Sequence, residues 1–199
     1  MTWKDIKLAT LQKIYSAEGA NIPSDDSTKD YLAAMPYAAN ECLNMICTNK
    51  KHIVKSVDLE PNGGNVLGSF RKHDMKELAK DFFAFDGQVY YTDGSSHQRT
   101  TNYYAENNAI LVNKDAKGIF TVYYRAYPEP ITAETVDSYE LPYEPDVCAV
   151  LPLYIASQIY KEDDNGIATS LRNEFEVAYD RLSQETNAVT LESFNESGW

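Results

Sequence analysis

The sequence predicts an α+β protein whose N- and C-terminal helices pack as a small bundle, with an antiparallel β-sandwich inserted between them. Three observations carry this expectation. Apolar residues recur at helical spacing near both ends of the chain, while the middle alternates every second residue and is rich in β-branched and aromatic side chains. The most apolar helical stretch, residues 147–160, is apolar nearly all round and needs neighbours on several sides. With 43% apolar and 24% charged residues in 199, the composition suits one globular domain or a core with one sizeable insertion. The expected boundaries are 1–50 and 145–183 for the bundle, 52–140 for the sandwich and 184–199 for an extended tail.

In chain order, Trp3, Ile6, Leu8, Leu11, Ile14 and Tyr15 mark a first helix with Thr2 as its N-cap. Gly19, Pro23 and Ser24 break it. A second helix starting near Ser27 carries Leu32, Met35, Ala39, Leu43 and Ile46; Pro36 inside it predicts either a restart or a kink. Strands are expected at 52–59, 65–72, 82–85, 88–92, 109–113 and 119–127. The turn signals are Asn62-Gly63-Gly64, Asp86-Gly87 and Asp93-Gly94. In the doublets Tyr90-Tyr91 and Tyr123-Tyr124, one ring faces the core and its neighbour faces out. Pro145-Asp146 opens the 147–160 helix with Asp146 as cap, and Pro152 marks a kink or restart. After the break at 162–166, a last helix over 167–183 places Ile167, Leu171, Phe175, Ala178 and Leu182 on one face. Glu176 and Asp180 lie opposite.

The charge is one-sided. Residues 1–128 hold fifteen acidic and fifteen basic side chains, whereas 129–199 hold fifteen acidic against Lys161, Arg172 and Arg181, so the whole net charge of -12 sits in the last third. A surface built from that segment repels phosphates and disfavours a grip on nucleic acid. No apolar run approaches a membrane span, and MTWKDIKLAT carries charges where a signal peptide needs an apolar stretch. Cys42, Cys47 and Cys148, odd in number and without CxxC spacing, predict reduced buried thiols in a cytoplasmic site of synthesis. The segment Lys161–Gly166 imitates a calcium loop, yet Lys161 and Arg172 fall where that loop needs carboxylates, so a polar connector is expected. His52, His73 and His97 show no metal spacing, and no phosphate-binding loop or nucleophile elbow occurs. A hydrolase therefore has no catalytic constellation to rest on, and neither a metal nor another cofactor is expected.

Three segments resemble head–tail connector (adaptor) proteins of tailed bacteriophages. Residues 151–182, LPLYIASQIYKEDDNGIATSLRNEFEVAYDRL, look like their closing helical hairpin. TWKDIKLATLQKIY and DYLAAMPYAANECLNMI resemble their N-terminal helices, and DFFAFDGQVYYTDG through GIFTVYYRAYPEPIT is similar to the β-rich insertion some of them carry. The resemblance implies a non-enzymatic structural virion protein in the neck region, made in the bacterial host cytoplasm. It implies a homo-oligomeric ring, typically a dodecamer, beneath the portal protein, which extends the DNA channel and docks the next tail or neck component. Genome DNA would pass without specific binding, past a lining to which Glu176 and Asp180 contribute. Leu191, Phe194 and Trp199 would serve as a docking tail. The competing expectation is a sandwich that binds carbohydrate through an exposed cluster of Tyr90, Tyr104 and Tyr124.

Overall fold

The structure is a computed structural model of the chain and describes residues 1–14, 21–22, 26–60 and 62–182. It is α+β, with helices at both ends and antiparallel sheets between them. Helix α1 spans Trp3–Ile14. At its start the Thr2 amide donates to Asp5 Oδ2 (2.9 Å) and the Asp5 amide to Thr2 Oγ1 (3.2 Å), a reciprocal cap that satisfies two orphan donors. Trp3, Ile6, Leu11 and Ile14 are buried, as the spacing predicts. Tyr15 and the Gly19–Ser24 break lie largely outside the described residues.

Helix α2, Asp26–Asn49, runs through Pro36 as one helix, which excludes the restart. Proline removes one bond of the helical ladder. The apolar stripe Met35, Ala39, Cys42, Leu43 and Ile46, fully buried, holds the helix together across that gap.

Helix α4, Pro145–Ile159, is the hub. It packs against α1, α2 and α5 (Asn165–Arg181), which explains why its surface is apolar nearly all round. Its entrance differs from expectation. Glu144 occupies the cap position but its side chain does not cap the helix, Pro145 fills the first turn where no amide partner is missed, and Asp146 sits one residue inside, accepting from the Val147 amide at 2.8 Å. Pro152 is buried within the helix, which continues past it. The α5 helix begins two residues earlier than expected because Asp164 caps it, accepting from the Ile167 amide at 3.0 Å. Leu171, Phe175 and Leu182 face the core, and Ala178 is half-buried against it. Ile167, expected on that face, is 42% exposed in the first turn of the helix.

The sandwich contains two four-stranded antiparallel sheets. One has the order β1 (Ile53–Leu59), β8 (Ile119–Ala126), β4 (Phe82–Asp93), β5 (Ser96–Arg99). The other has the order β2 (Asn65–Leu67), β3 (Phe70–Asp74), β7 (Ala109–Asn113), β6 (Tyr103–Glu106). Leu59, Phe82, Val89, Phe120, Val122 and Tyr124 from the first sheet meet Ile110 and Val112 from the second. Met75, from the single-turn helix α3 (Met75–Leu78), joins them.

Several expected elements change. The strand read as 65–72 is a hairpin, β2–β3, turning at Gly68. The two strands read as 82–85 and 88–92 are one. Both halves pair with β8 (Phe85 with Tyr124, Val89 with Val122), so Asp86-Gly87 is a bulge rather than a hairpin turn. Gly87 has φ +81°, which a side chain rarely adopts. The extra residues there carry Asp86 inward, its side chain only 7% exposed and 3.5 Å from Arg125 Nε. Strands β5 and β6 and helix α3 were not foreseen. Asp93-Gly94 does turn β4 into β5.

The stretch between β8 and α4 also departs from the expected 52–140 insertion. Ile131 and Leu141 are buried in the helical core, not in the sandwich. Asn40 clamps Ile131 from α2, its Nδ2 donating to the Ile131 carbonyl (2.7 Å) and its Oδ1 accepting from the Ile131 amide (2.8 Å). The Trp3 amide donates to the Tyr139 carbonyl (2.8 Å), and the Leu141 amide to the Met1 carbonyl (3.0 Å). The segment is therefore a strap that ties the chain start to the last two helices.

Candidate functional site

Two regions bear on function: the α4–α5 hairpin with its acidic face, and a groove at one end of the sandwich. In the hairpin, Phe175 is fully buried. Its ring lies 5.0 Å from that of Tyr154 on α4 and 5.6 Å from that of Tyr179. Edge-to-face and offset aromatic pairs add to the burial itself. Arg172 lies across this cluster, its guanidinium 4.9 Å from the Tyr154 ring centre and 5.4 Å from that of Phe175. Burial and a hydrogen bond with Glu41 push the Tyr154 phenol up to about 12, against the opposing pull of Arg172.

Glu176 and Asp180 both stand on the solvent side of α5, with side chains 49% and 80% exposed. Neither is a lone charge. Arg172 Nε donates to Glu176 Oε1 at 2.6 Å, one helical turn back. Lys50, from the end of α2, reaches within 3.9 Å of Asp180 and lies 4.9 Å over the Tyr179 ring. The acidic segment recruits other cations from the N-terminal part of the chain: Lys7 of α1 pairs with Asp137, and Lys51, just after α2, with Glu144 (2.6 Å) and Asp146 (3.5 Å). The calcium-like segment is likewise engaged. Asp163 accepts from the Tyr31 hydroxyl at 2.5 Å and Asp164 caps α5, which leaves these carboxylates as parts of a helix connector. Among the described residues, no three His, Cys, Asp or Glu side chains are placed to hold a metal ion, and no helix is long and apolar enough to cross a membrane. Leu191, Phe194 and Trp199 lie outside the described residues.

The cysteines are free and buried. Loss of hydration on burial pushes the Cys47 thiol up to about 12 and raises Cys42 and Cys148 as well, so none is a ready nucleophile. His73 is buried inside the sandwich, where desolvation and the nearby Arg71 charge hold its pKa below the ordinary value. His52 Nδ1 donates to the Cys47 carbonyl at 2.9 Å, and the His97 ring stacks on Tyr90 at 5.0 Å. The three histidines lie apart, His52 between α2 and β1, His73 in β3 and His97 in β5.

The expected cluster of Tyr90, Tyr104 and Tyr124 does not form. The doublets divide as the pleat requires, and this separates the rings. Tyr124 faces inward at 5% exposure and donates to Asp81 Oδ1 at 3.0 Å, while Tyr91 packs on Phe120 at 4.8 Å. Tyr90 faces out beside Tyr123, their ring centres 5.6 Å apart. Tyr104 belongs to the other sheet and is 62% exposed.

Tyr104 instead borders a groove of about 480 Å³ at one end of the sandwich. Its aromatic walls are Tyr91 and Phe120 from the first sheet and Phe70, Tyr103 and Tyr104 from the second. Its polar rim is Thr100, Thr101 and Asn102, the crossover from β5 to β6, with Asn113 at the end of β7. The groove exists because the β5–β6 connection leaves one sheet and enters the other, a step absent from the sequence reading. Gly118 keeps that end of the sandwich closed: a Cβ there would sit 2.2 Å from the Thr92 carbonyl oxygen and 2.8 Å from the Tyr91 ring. The Gly118 amide also donates to the Tyr91 hydroxyl at 3.0 Å, which fixes that ring in the wall.

Compared with known proteins, the chain matches no family model and no curated protein.

Proposed function

We propose that this chain is a head–tail connector adaptor of a tailed bacteriophage: a structural virion protein that forms a ring under the portal, extends the DNA channel and docks the next tail component. The observation that carries the reading is how the sandwich is attached. Ile53, at the start of β1, pairs with Ala126, at the end of β8, so the insertion leaves and rejoins the helical part through neighbouring strands. A bundle closed by a C-terminal hairpin, with a β-rich module hung from one strand pair, is the architecture that the resembling segments imply. The apolar all-round α4, clasped by α1, α2 and α5, gives that hairpin a rigid seat. A structural role in the virion neck demands geometry rather than chemistry, and the inert buried thiols and structural histidines suit such a role.

The test is size and shape in solution. Light scattering of the purified full chain, alone and mixed with a portal assembly, followed by electron micrographs, should show a ring with a central opening seated coaxially on the portal. A chain that stays monomeric in both conditions, with no added density on the portal, rules the proposal out.

A further inference from the structure

We infer that the groove at the end of the sandwich is a binding site for a neutral carbohydrate, one or two sugar residues of a glycan. The inference is independent of the ring and rests on the chemistry of the lining. None of the ten residues around the groove is Asp, Glu, Lys, Arg or His: five are aromatic, four are amides or hydroxyls and one is alanine. A charged ligand would find no opposite charge there, and a purely apolar one would strip water from the rim without replacing its hydrogen bonds. A sugar matches both halves of the surface. Its C–H faces lie against aromatic rings, and each of its hydroxyls both donates and accepts, as amide and hydroxyl side chains do.

The two asparagine side chains of the rim keep groups for a ligand. Asn113 Oδ1 accepts from the Asp115 amide at 2.9 Å, which orients the side chain and leaves its NH2 group as the donor. Asn102 is exposed, and its backbone amide donates to Thr100 Oγ1 at 3.1 Å, so the rim is set by a local turn while the Asn102 carboxamide is not consumed by it. The aromatic walls are preformed. Phe70 and Tyr104 meet edge to face at 5.4 Å, and Tyr91 and Phe120 lie 4.8 Å apart. A volume of about 480 Å³ falls in the range of small-ligand sites and leaves room for about two pyranose rings.

The probes are maltose, cellobiose and N,N′-diacetylchitobiose, each titrated to about 20 mM into the ¹⁵N-labelled full chain, a range that covers dissociation constants of about 1 mM. At least one should shift the amides of residues 100–104 and of Ala116 and Gly118 in a saturable way. Tyr104→Ala and Asn102→Ala, both at exposed positions that leave the core intact, should each weaken binding about tenfold. Tyr123→Ala, on the outward face of β8, should leave it unchanged. The inference falls if no sugar shifts these amides. It also falls if the shifts survive Tyr104→Ala undiminished, or if the same amides respond to protein concentration instead, which would give the groove to a second copy of the chain.

Discussion

Phe175 shows how one side chain can be read from sequence and where that reading stops. Its spacing from Leu171 and Leu182 marks it as a core residue, and it is fully buried between Tyr154 and Tyr179. What spacing could not supply is Arg172, whose guanidinium covers the same rings while binding Glu176. An arginine that lays its stem and planar head over aromatic rings is invisible to a pattern of apolar positions. Phe175→Ala should therefore cost about 3–5 kcal/mol, combining lost transfer energy with a cavity that the packed α4–α5 pair does not close. Urea melts followed by circular dichroism check this, and a loss under about 1 kcal/mol would mean that α5 does not seat on α4 as described. The groove residues were legible only one at a time. Tyr104 was noted as exposed, but its neighbours Phe70 and Asn113 come from other strands of its sheet, and a single sequence does not show strand order.

At the scale of elements, long periodic segments were readable and short irregular ones were not. All four bundle helices follow from apolar spacing, although the cap expected for α4 lies one residue inside the helix and the cap of α5 was not read. The errors concentrate in the sandwich, where Asp86-Gly87 carries the same signal in a bulge as in a hairpin. What decides between them is whether the flanking strands pair with each other or with a third, and both halves of β4 pair with β8. Most of the strap was misplaced for a related reason: Ile131 is an isolated apolar residue in a loop-like stretch, and only the clamp from Asn40 reveals its allegiance. The helical and β clusters share no buried residue, and strands and bundle helices find their main partners among their own kind. Because Ile53 and Ala126 are direct partners, a short linker spans the gap left by removing what lies between them. Replacing residues 53–126 with a few Gly/Ser residues should leave a remnant that keeps its helical circular dichroism and melts cooperatively. A remnant without helix would show that the two cores depend on each other.

For the molecule as a whole, the one-sided charge of the sequence is partly cancelled in space. Residues 1–128, neutral in sum, lend Lys7, Lys50 and Lys51 to carboxylates of the last third, across separations that no local pattern reveals. The field around α5 is therefore weaker than the count suggests, and Glu176 and Asp180 sit in it as exposed but accompanied charges. If this flank of α5 lines the channel of a ring, its task is to avoid gripping phosphates, since each Lys or Arg contact adds affinity through counterion release. Reversing Glu176 and Asp180 to Lys breaks the pair with Arg172 and places like charges beside Arg172 and Lys50. That costs about 1 kcal/mol at exposed positions and leaves the fold intact. The assembled ring of this double variant should then hold duplex DNA, with an affinity that falls steeply between about 50 and 200 mM salt. Glu174 supplies the comparison. It is exposed on the same helix, but two residues from Glu176 and thus about 200° around the axis, on the other flank. Glu174→Lys should leave DNA binding at the parent level. If the double variant binds DNA no better than the parent, or if Glu174→Lys binds it equally well, then the Glu176–Asp180 flank does not face the channel, and the acidic charge of the last third serves solubility alone.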